Sequence, residues 1–263
     1  MDIITANGDR VHASRMENTD IFDAARCSLG CIGVIIRVKL QLERTFLLHA
    51  IQRPSSLPAI LEYLMHTIYE NDHVRFWWFP GTDDVVDWRA NRRPWSTQRS
   101  PAQTSWYRDT LHGRHIFEFQ LFIARYKQSL LPGIAKRKFQ RFFAEPVEVV
   151  DTSHKLFNFD CLFSQYVNEW AIPLDQTLSA LRALKKMFSN ATYPVHFPVE
   201  IRFASADDIW MSPSYGRPTC WINVIMYRYF CLSTLLCTLL TFDTDPMRNP
   251  CLTNSFGEIL NKS

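Results

Sequence analysis

A chain of 263 residues suffices for one large or two small domains with a buried core, and 47% apolar against 21% charged residues excludes a disordered polymer. The net charge of +3 is small for that length; apart from KRKFQR at 136–141 the basic residues are scattered, and without a recognisable module this argues against nucleic-acid binding. Seven cysteines at irregular gaps, with no C-x-x-C pair, read as reduced thiols, and His112 and His115 lack the ligands that would complete a zinc site.

The amino terminus has no basic flank leading into an apolar core, so it does not read as a signal peptide. Residues 3–5 and 10–12 alternate around Asn7-Gly8, which predicts a hairpin with a type I′ turn. Asp20 is the expected cap of a short helix ending at Arg26. The turn SLGCIG then leads into VIIRVKLQL at 34–42, whose second half alternates as a half-buried strand does. Residues 44–51 continue extended. Ser55 or Ser56 caps a helix to about Asn71, with Pro58 in its first turn and Ile60, Leu61, Leu64 and Ile68 as its apolar stripe. Residues 74–80 and 85–88 read as a strand pair joined by GTDD, and 90–104 as a polar loop.

A long helix is predicted over 106–131, ended by Pro132. The segment after it sets Phe139, Phe142 and Phe143 beside Lys136, Arg137, Lys138 and Arg141, a pattern that suits either a membrane surface or packing onto a sheet. Strands follow at 160–171, 194–203 and 219–227, with a helix at 175–189 that turns Leu178, Leu181, Leu184 and Phe188 inward. This order implies an antiparallel sheet with helices on one face, an α+β domain. The tail at 229–263 holds an apolar run too short to span a bilayer by itself.

The strongest chemical signal is HFPVEIRF at 196–203. Side chains alternate along a strand, so Glu200 and Arg202 share one face while Val199, Ile201 and Phe203 share the other. Two ionic groups in an apolar setting cost desolvation energy unless they are paired or meet a polar ligand. A structural ion pair at a sheet rim and an active-site pair both satisfy that condition. Asn223, on the next strand with Trp221 and Ile225, either faces the same side or lies at the rim. Gly30 and Gly33 alone mark a tight turn. Asp207 and Asp208 read as turn formers.

Taken in order, SLGCIGVIIRVKLQL, RFWWFP, SHKLF, NEWAIP and HFPVEIRF with its continuation ASADDIWMSPSYGRPTCWINVIMYR resemble the L-gulonolactone oxidase and D-arabinono-1,4-lactone oxidase family. These are flavoproteins of the vanillyl-alcohol-oxidase superfamily. The likeness runs from about residue 3 to residue 228. It implies that 1–43 is the C-terminal edge of an FAD-binding domain, 44–228 a substrate-binding domain, and 229–263 a divergent tail. It implies FAD as cofactor, met by Gly30, Gly33 and the main chain of Val34. Glu200 and Arg202 become the catalytic pair, with Glu200 holding the Arg202 guanidinium, and Asn223 a substrate contact.

The family oxidises a secondary alcohol of a sugar lactone and passes the electrons to oxygen, giving peroxide, in ascorbate biosynthesis. Its animal members associate with the endoplasmic reticulum membrane, so a sugar lactone, oxygen and a membrane surface are the implied partners. The family's pyrophosphate-binding segment and its His-Trp-Ala-Lys motif have no counterpart here, so the expectation is a chain truncated at both ends and nearly inactive alone. A non-catalytic membrane-associated or interaction fragment is the rival reading.

Overall fold

Short β-propensity runs around the amino terminus close into a small sheet of three strands in the order β2-β1-β3, built from β1 (Asp2–Ile4), β2 (Arg10–His12) and β3 (Val34–Arg37). The computed structural model describes residues 1–158, 163, 165–190 and 195–228. Helix α1 (Thr19–Arg26) lies against this sheet, and Ile3, Ala13 and Ala25 form its core. The hairpin is present, with Ile3 opposite Val11. Its turn is longer than the expected two residues. Gly8 N–H donates to the Thr5 carbonyl, Thr5 N–H donates to the Asp9 carbonyl, and only Gly8, at φ +87°, is left-handed. A type I′ turn needs both central residues left-handed. Asn18 rather than Asp20 precedes α1, and Asp20 sits within its first turn.

β3 ends at Arg37, well short of residue 42, and is not half-buried: Val34 is 67% and Ile36 51% exposed. Alternation reports a strand without saying what covers it. The unit is tied to the rest of the chain through Asp208, whose side chain and carbonyl accept from Arg26 at 2.9 and 2.8 Å. Asp208 is therefore an anchor as well as a turn residue.

The main sheet has seven strands, all antiparallel: β4 (Leu47–Ser56), β5 (His73–Trp78), β6 (Asp84–Arg93), β7 (Val147–Thr152), β8 (Gln165–Pro173), β9 (Val199–Ala204) and β10 (Thr219–Tyr227), in the order β7-β4-β6-β5-β9-β10-β8. The strand expected from 160 and the one expected from 194 begin outside the described residues, as does the tail 229–263. Helix α2 (Leu57–Glu70) starts where Ser56 Oγ accepts from Ala59 N–H at 3.4 Å, with Pro58 in the first turn. Helices α3 (Phe117–Ala124), α4 (Leu131–Phe142), α5 (Ser153–Phe157) and α6 (Thr177–Asn190) are the other α-helices among the described residues.

The expected antiparallel sheet with helices is present, but helices cover both of its faces rather than one. α2 and α6 bury Leu57, Leu64, Leu181 and Leu184 against Phe76, Trp78, Val199, Ile201 and Ile222. The β9 residues in this core are those that alternation assigned to the apolar face. On the opposite face the expected helix over 106–131 is broken. A π-type segment, Trp106–Ile116, runs into α3, and α4 begins with Pro132 in its first turn. Pro132 thus opens a helix, where its missing N–H costs nothing. The aromatic residues of α4 pack on the sheet: Phe139 meets Phe79 and Phe143 meets Trp77, with ring centroids 5.4 and 6.0 Å apart.

Burial of His196, just before β9, pushes its imidazole down to about 4. The unfolded chain therefore takes up that proton first, and stability is complete above about pH 6.5 and is lost as pH falls toward 4. The full effect is on the order of 3 kcal/mol. His196→Gln is expected to flatten this acid limb in denaturant titrations run between pH 7 and pH 4; an unchanged limb would assign it to other groups.

Candidate active site

Strand register brings together residues that lie far apart in the chain. Glu200 of β9 sits between Trp77 of β5 and Asn223 of β10, and Asn223 faces Glu169 of β8. All point away from the α2–α6 core. The Glu200 carboxylate accepts from Arg75 Nη1 at 3.3 Å, Trp77 Nε1 at 3.4 Å and Asn223 Nδ2 at 3.5 Å, and Arg202 Nε lies 3.8 Å away. Glu200 and Arg202 do share a face. The nearest cation to Glu200 is nevertheless Arg75, and Arg202 makes its hydrogen bond to Glu169. So Glu169, more than Glu200, holds the Arg202 guanidinium.

Arg75 stands between the rings of Trp77 and Trp88, 5.0 and 4.8 Å from their centroids. Burial pulls its guanidinium below the ordinary arginine value, and Glu200 pulls it back up. Two unit charges at this separation attract by about 5 kcal/mol at an effective dielectric near 20. Desolvation costs several kcal/mol per ion. The two effects nearly cancel, so such a pair adds little stability over packed hydrophobes. Arg75, Trp77 and Glu169 fall inside RFWWFP and NEWAIP; the signal for them was that Arg75 and Trp77 alternate like Glu200 and Arg202, but only strand order shows that the two pairs meet.

Glu200 and Asn223 form the floor of a cavity of about 520 Å³ that is roofed from the helical side by Lys138, Phe142 and Gly113. That is ample for a small molecule. Asn223 Oδ1 is buried and has no hydrogen-bond partner among the described residues. An orphaned acceptor beside a carboxylate asks for a ligand that carries O–H or N–H groups. Lys138 donates to the Gly113 carbonyl at 2.8 Å and stands over the rings of Phe142 and Phe117, at 4.0 and 4.6 Å. Burial pushes its ammonium down to about 8, against the upward pull of Asp109.

Residues 38–238 match the family described as D-arabinono-1,4-lactone oxidase. The chain belongs to that family. It is 38% identical over 229 residues to L-gulonolactone oxidase of Scyliorhinus torazame, covering 87% of this chain and 51% of that protein. It is 32% identical over 215 residues to D-arabinono-1,4-lactone oxidase of Yarrowia lipolytica, covering 77% of this chain and 40% of that protein. The chain thus spans about half the length of the curated relatives it matches, 51% in the first case. Among solved structures, cholesterol oxidase from B. sterolicum superposes with a TM-score of 0.59 at 14% identity, over 86% of this chain and 51% of that one. At that identity the likeness is one of fold.

In this member of the arabinonolactone oxidase family, the residues expected at the flavin differ in what they leave open. A side chain at Gly33, whose φ is +140°, would collide with the Ile4 carbonyl, so β1 already accounts for that glycine. Gly30, at φ +76°, has open space where a Cβ would lie, and Val34 is exposed. They belong to the small sheet, apart from the Glu200 cavity, and that sheet is joined to the β9–β10 connection through Arg26 and Asp208.

Removing one partner of a buried ion pair strands the other. Arg75→Met is therefore expected to destabilise the fold by about 3–5 kcal/mol, and adding Glu200→Gln to recover part of that loss. A double-mutant cycle by chemical denaturation measures the coupling; additive effects would show that the pair does not interact.

Proposed function

We propose that this chain carries the lactone-binding part of an FAD-dependent aldonolactone oxidase, which oxidises a secondary alcohol of an aldono-1,4-lactone with oxygen as final electron acceptor. The observation that supports this is one sheet face holding the Glu200 carboxylate, the Arg202 guanidinium and the orphaned Asn223 Oδ1 side by side. A lactone hydroxyl donates to Glu200 or Asn223. As the hydroxyl passes its proton to the Glu200 carboxylate, negative charge develops on its oxygen, and Arg202, fixed by Glu169, lowers the cost of that charge. Trp77 and Arg75 hold the Glu200 oxygens in one orientation, so a bound hydroxyl has one geometry in which to sit.

FAD, when bound, supplies the acceptor for the hydride that leaves the carbinol carbon. Gly30 and the main chain of Val34 are the residues this chain offers to it. The electrons pass on to oxygen, giving hydrogen peroxide, and with L-gulono-1,4-lactone the product leads to ascorbate. Calorimetric titration of the purified chain with aldono-1,4-lactones is expected to show binding that falls at least tenfold in Glu200→Gln. Where lactone-dependent peroxide is followed, Arg202→Met is expected to lower kcat by about 10²–10³ with a smaller change in KM. Absence of lactone binding, or binding indifferent to Glu200, overturns the reading.

We infer in addition that the protein meets a membrane surface, at the endoplasmic reticulum. In support, α3 and the turn after it expose Phe119 and Tyr126, at 61% and 75%, together with Phe122 and Ile123, beside the exposed Arg125 and Lys127. This is an apolar stripe at helical spacing flanked by cations, the pattern of an interfacial helix. Among the described residues no helix is long and apolar enough to cross a membrane. Flotation with vesicles containing anionic lipid should carry the wild type upward and leave Phe119→Ser/Phe122→Ser behind; wild type remaining at the bottom would end the idea.

A further inference from the structure

The cavity has two walls of different chemistry. The sheet wall presents acceptors: Glu200 and the unpartnered Asn223 Oδ1. The helical wall presents one strong donor, the Lys138 ammonium. An ammonium carries three N–H groups, and among the described residues the only hydrogen bond in view takes one of them, to Gly113. Around it stand the rings of Phe117 and Phe142, to which it cannot donate conventionally, and the Asp109 carboxylate, which attracts its charge without accepting a hydrogen bond from it. A methionine would fill that volume without desolvating a charge. A lysine kept at such a place, with donor capacity left over and a cavity before it, is built to meet a ligand acceptor.

A hydroxyl both donates and accepts. A ligand that satisfies both walls therefore carries hydroxyls at two ends, one set donating to Glu200 and Asn223, the other accepting from Lys138, with an apolar ring face against Trp77 and Phe143 between them. We propose that Lys138 forms a second subsite, for the exocyclic hydroxyl arm of the aldonolactone, and so sets which length of lactone the cavity prefers. This rests on the reading of the Glu200 cavity as a lactone site. The two substrates named for the relatives differ in this arm: that of L-gulono-1,4-lactone is one hydroxymethylene longer than that of D-arabinono-1,4-lactone. On this proposal the longer arm is the one that reaches Lys138.

The test is the ratio of two affinities, which a merely structural role of Lys138 would not move. Calorimetric titration of the whole chain with each lactone compares wild type, Lys138→Met, Lys138→Gln and Glu200→Gln, with circular dichroism to check folding. Lys138→Met is expected to weaken the six-carbon lactone at least tenfold and the five-carbon lactone less than twofold. Lys138→Gln, whose shorter neutral amide still donates, should lose part of the preference by weakening the six-carbon lactone alone, and that partial, selective loss carries the test if the methionine variant fails to fold. Glu200→Gln should weaken both lactones alike. If the Lys138 variants change both affinities equally or neither, while Glu200→Gln still weakens both, the subsite is overturned and the lactone site stands. If wild type binds neither lactone, both readings fall.

Discussion

One half-buried carboxylate sets the terms for this structure. Glu200 takes hydrogen bonds from β5 on one side and β10 on the other, while Arg202, two residues along, reaches across to β8. Four adjacent strands are thus pinned in one register by polar contacts on a single face. A shift of any of them by one residue would send Glu200 or its donors into the α2–α6 core, where no group is placed to receive them. The apolar face supplies the driving force for the sheet, and the polar face selects which alignment of that sheet is allowed.

The same division explains how stability and chemistry coexist in a thin layer. Ile201 faces the helices and is fully buried, while Glu200 lines the cavity and Arg202, on the same face, lies beside it against Glu169. Because strand side chains alternate, no loop is needed to bring the Glu200 carboxylate to the cavity; a strand inside the sheet carries it directly. Charges that are costly to desolvate are there mutually neutralised, and what they leave unsatisfied, one amide oxygen and part of one ammonium, lies at the cavity wall.

Alternation in HFPVEIRF was enough to assign each side of β9, and stripes of leucine at helical spacing were enough to place α2 and α6. Local pattern carries that information because it is decided within a few residues. The partner of Glu200 was not legible: Arg75 lies 125 residues away, and two cations near in sequence or in motif compete for the same inference until strand order is known. The break between Trp106–Ile116 and α3 was equally hidden, since a widened helical turn keeps an apolar rhythm close to that of an ordinary helix. Lys138 looked like one member of a basic run. Its neighbours Lys136, Arg137 and Arg141 are exposed, and only packing of α4 onto the sheet turns this one inward.

The row Val34–Arg37 has a practical meaning. It is the outermost strand of its sheet, one of its ladder edges is unmatched, and three of its four residues are branched aliphatics in contact with water. Such an edge recruits whatever extended peptide it meets first, including the same segment of a neighbouring molecule. Arg37, the lone charge in the strand, is the natural gatekeeper against this. Concentrated preparations would therefore tend to turn cloudy through this border, and their solubility would depend on salt through that one guanidinium.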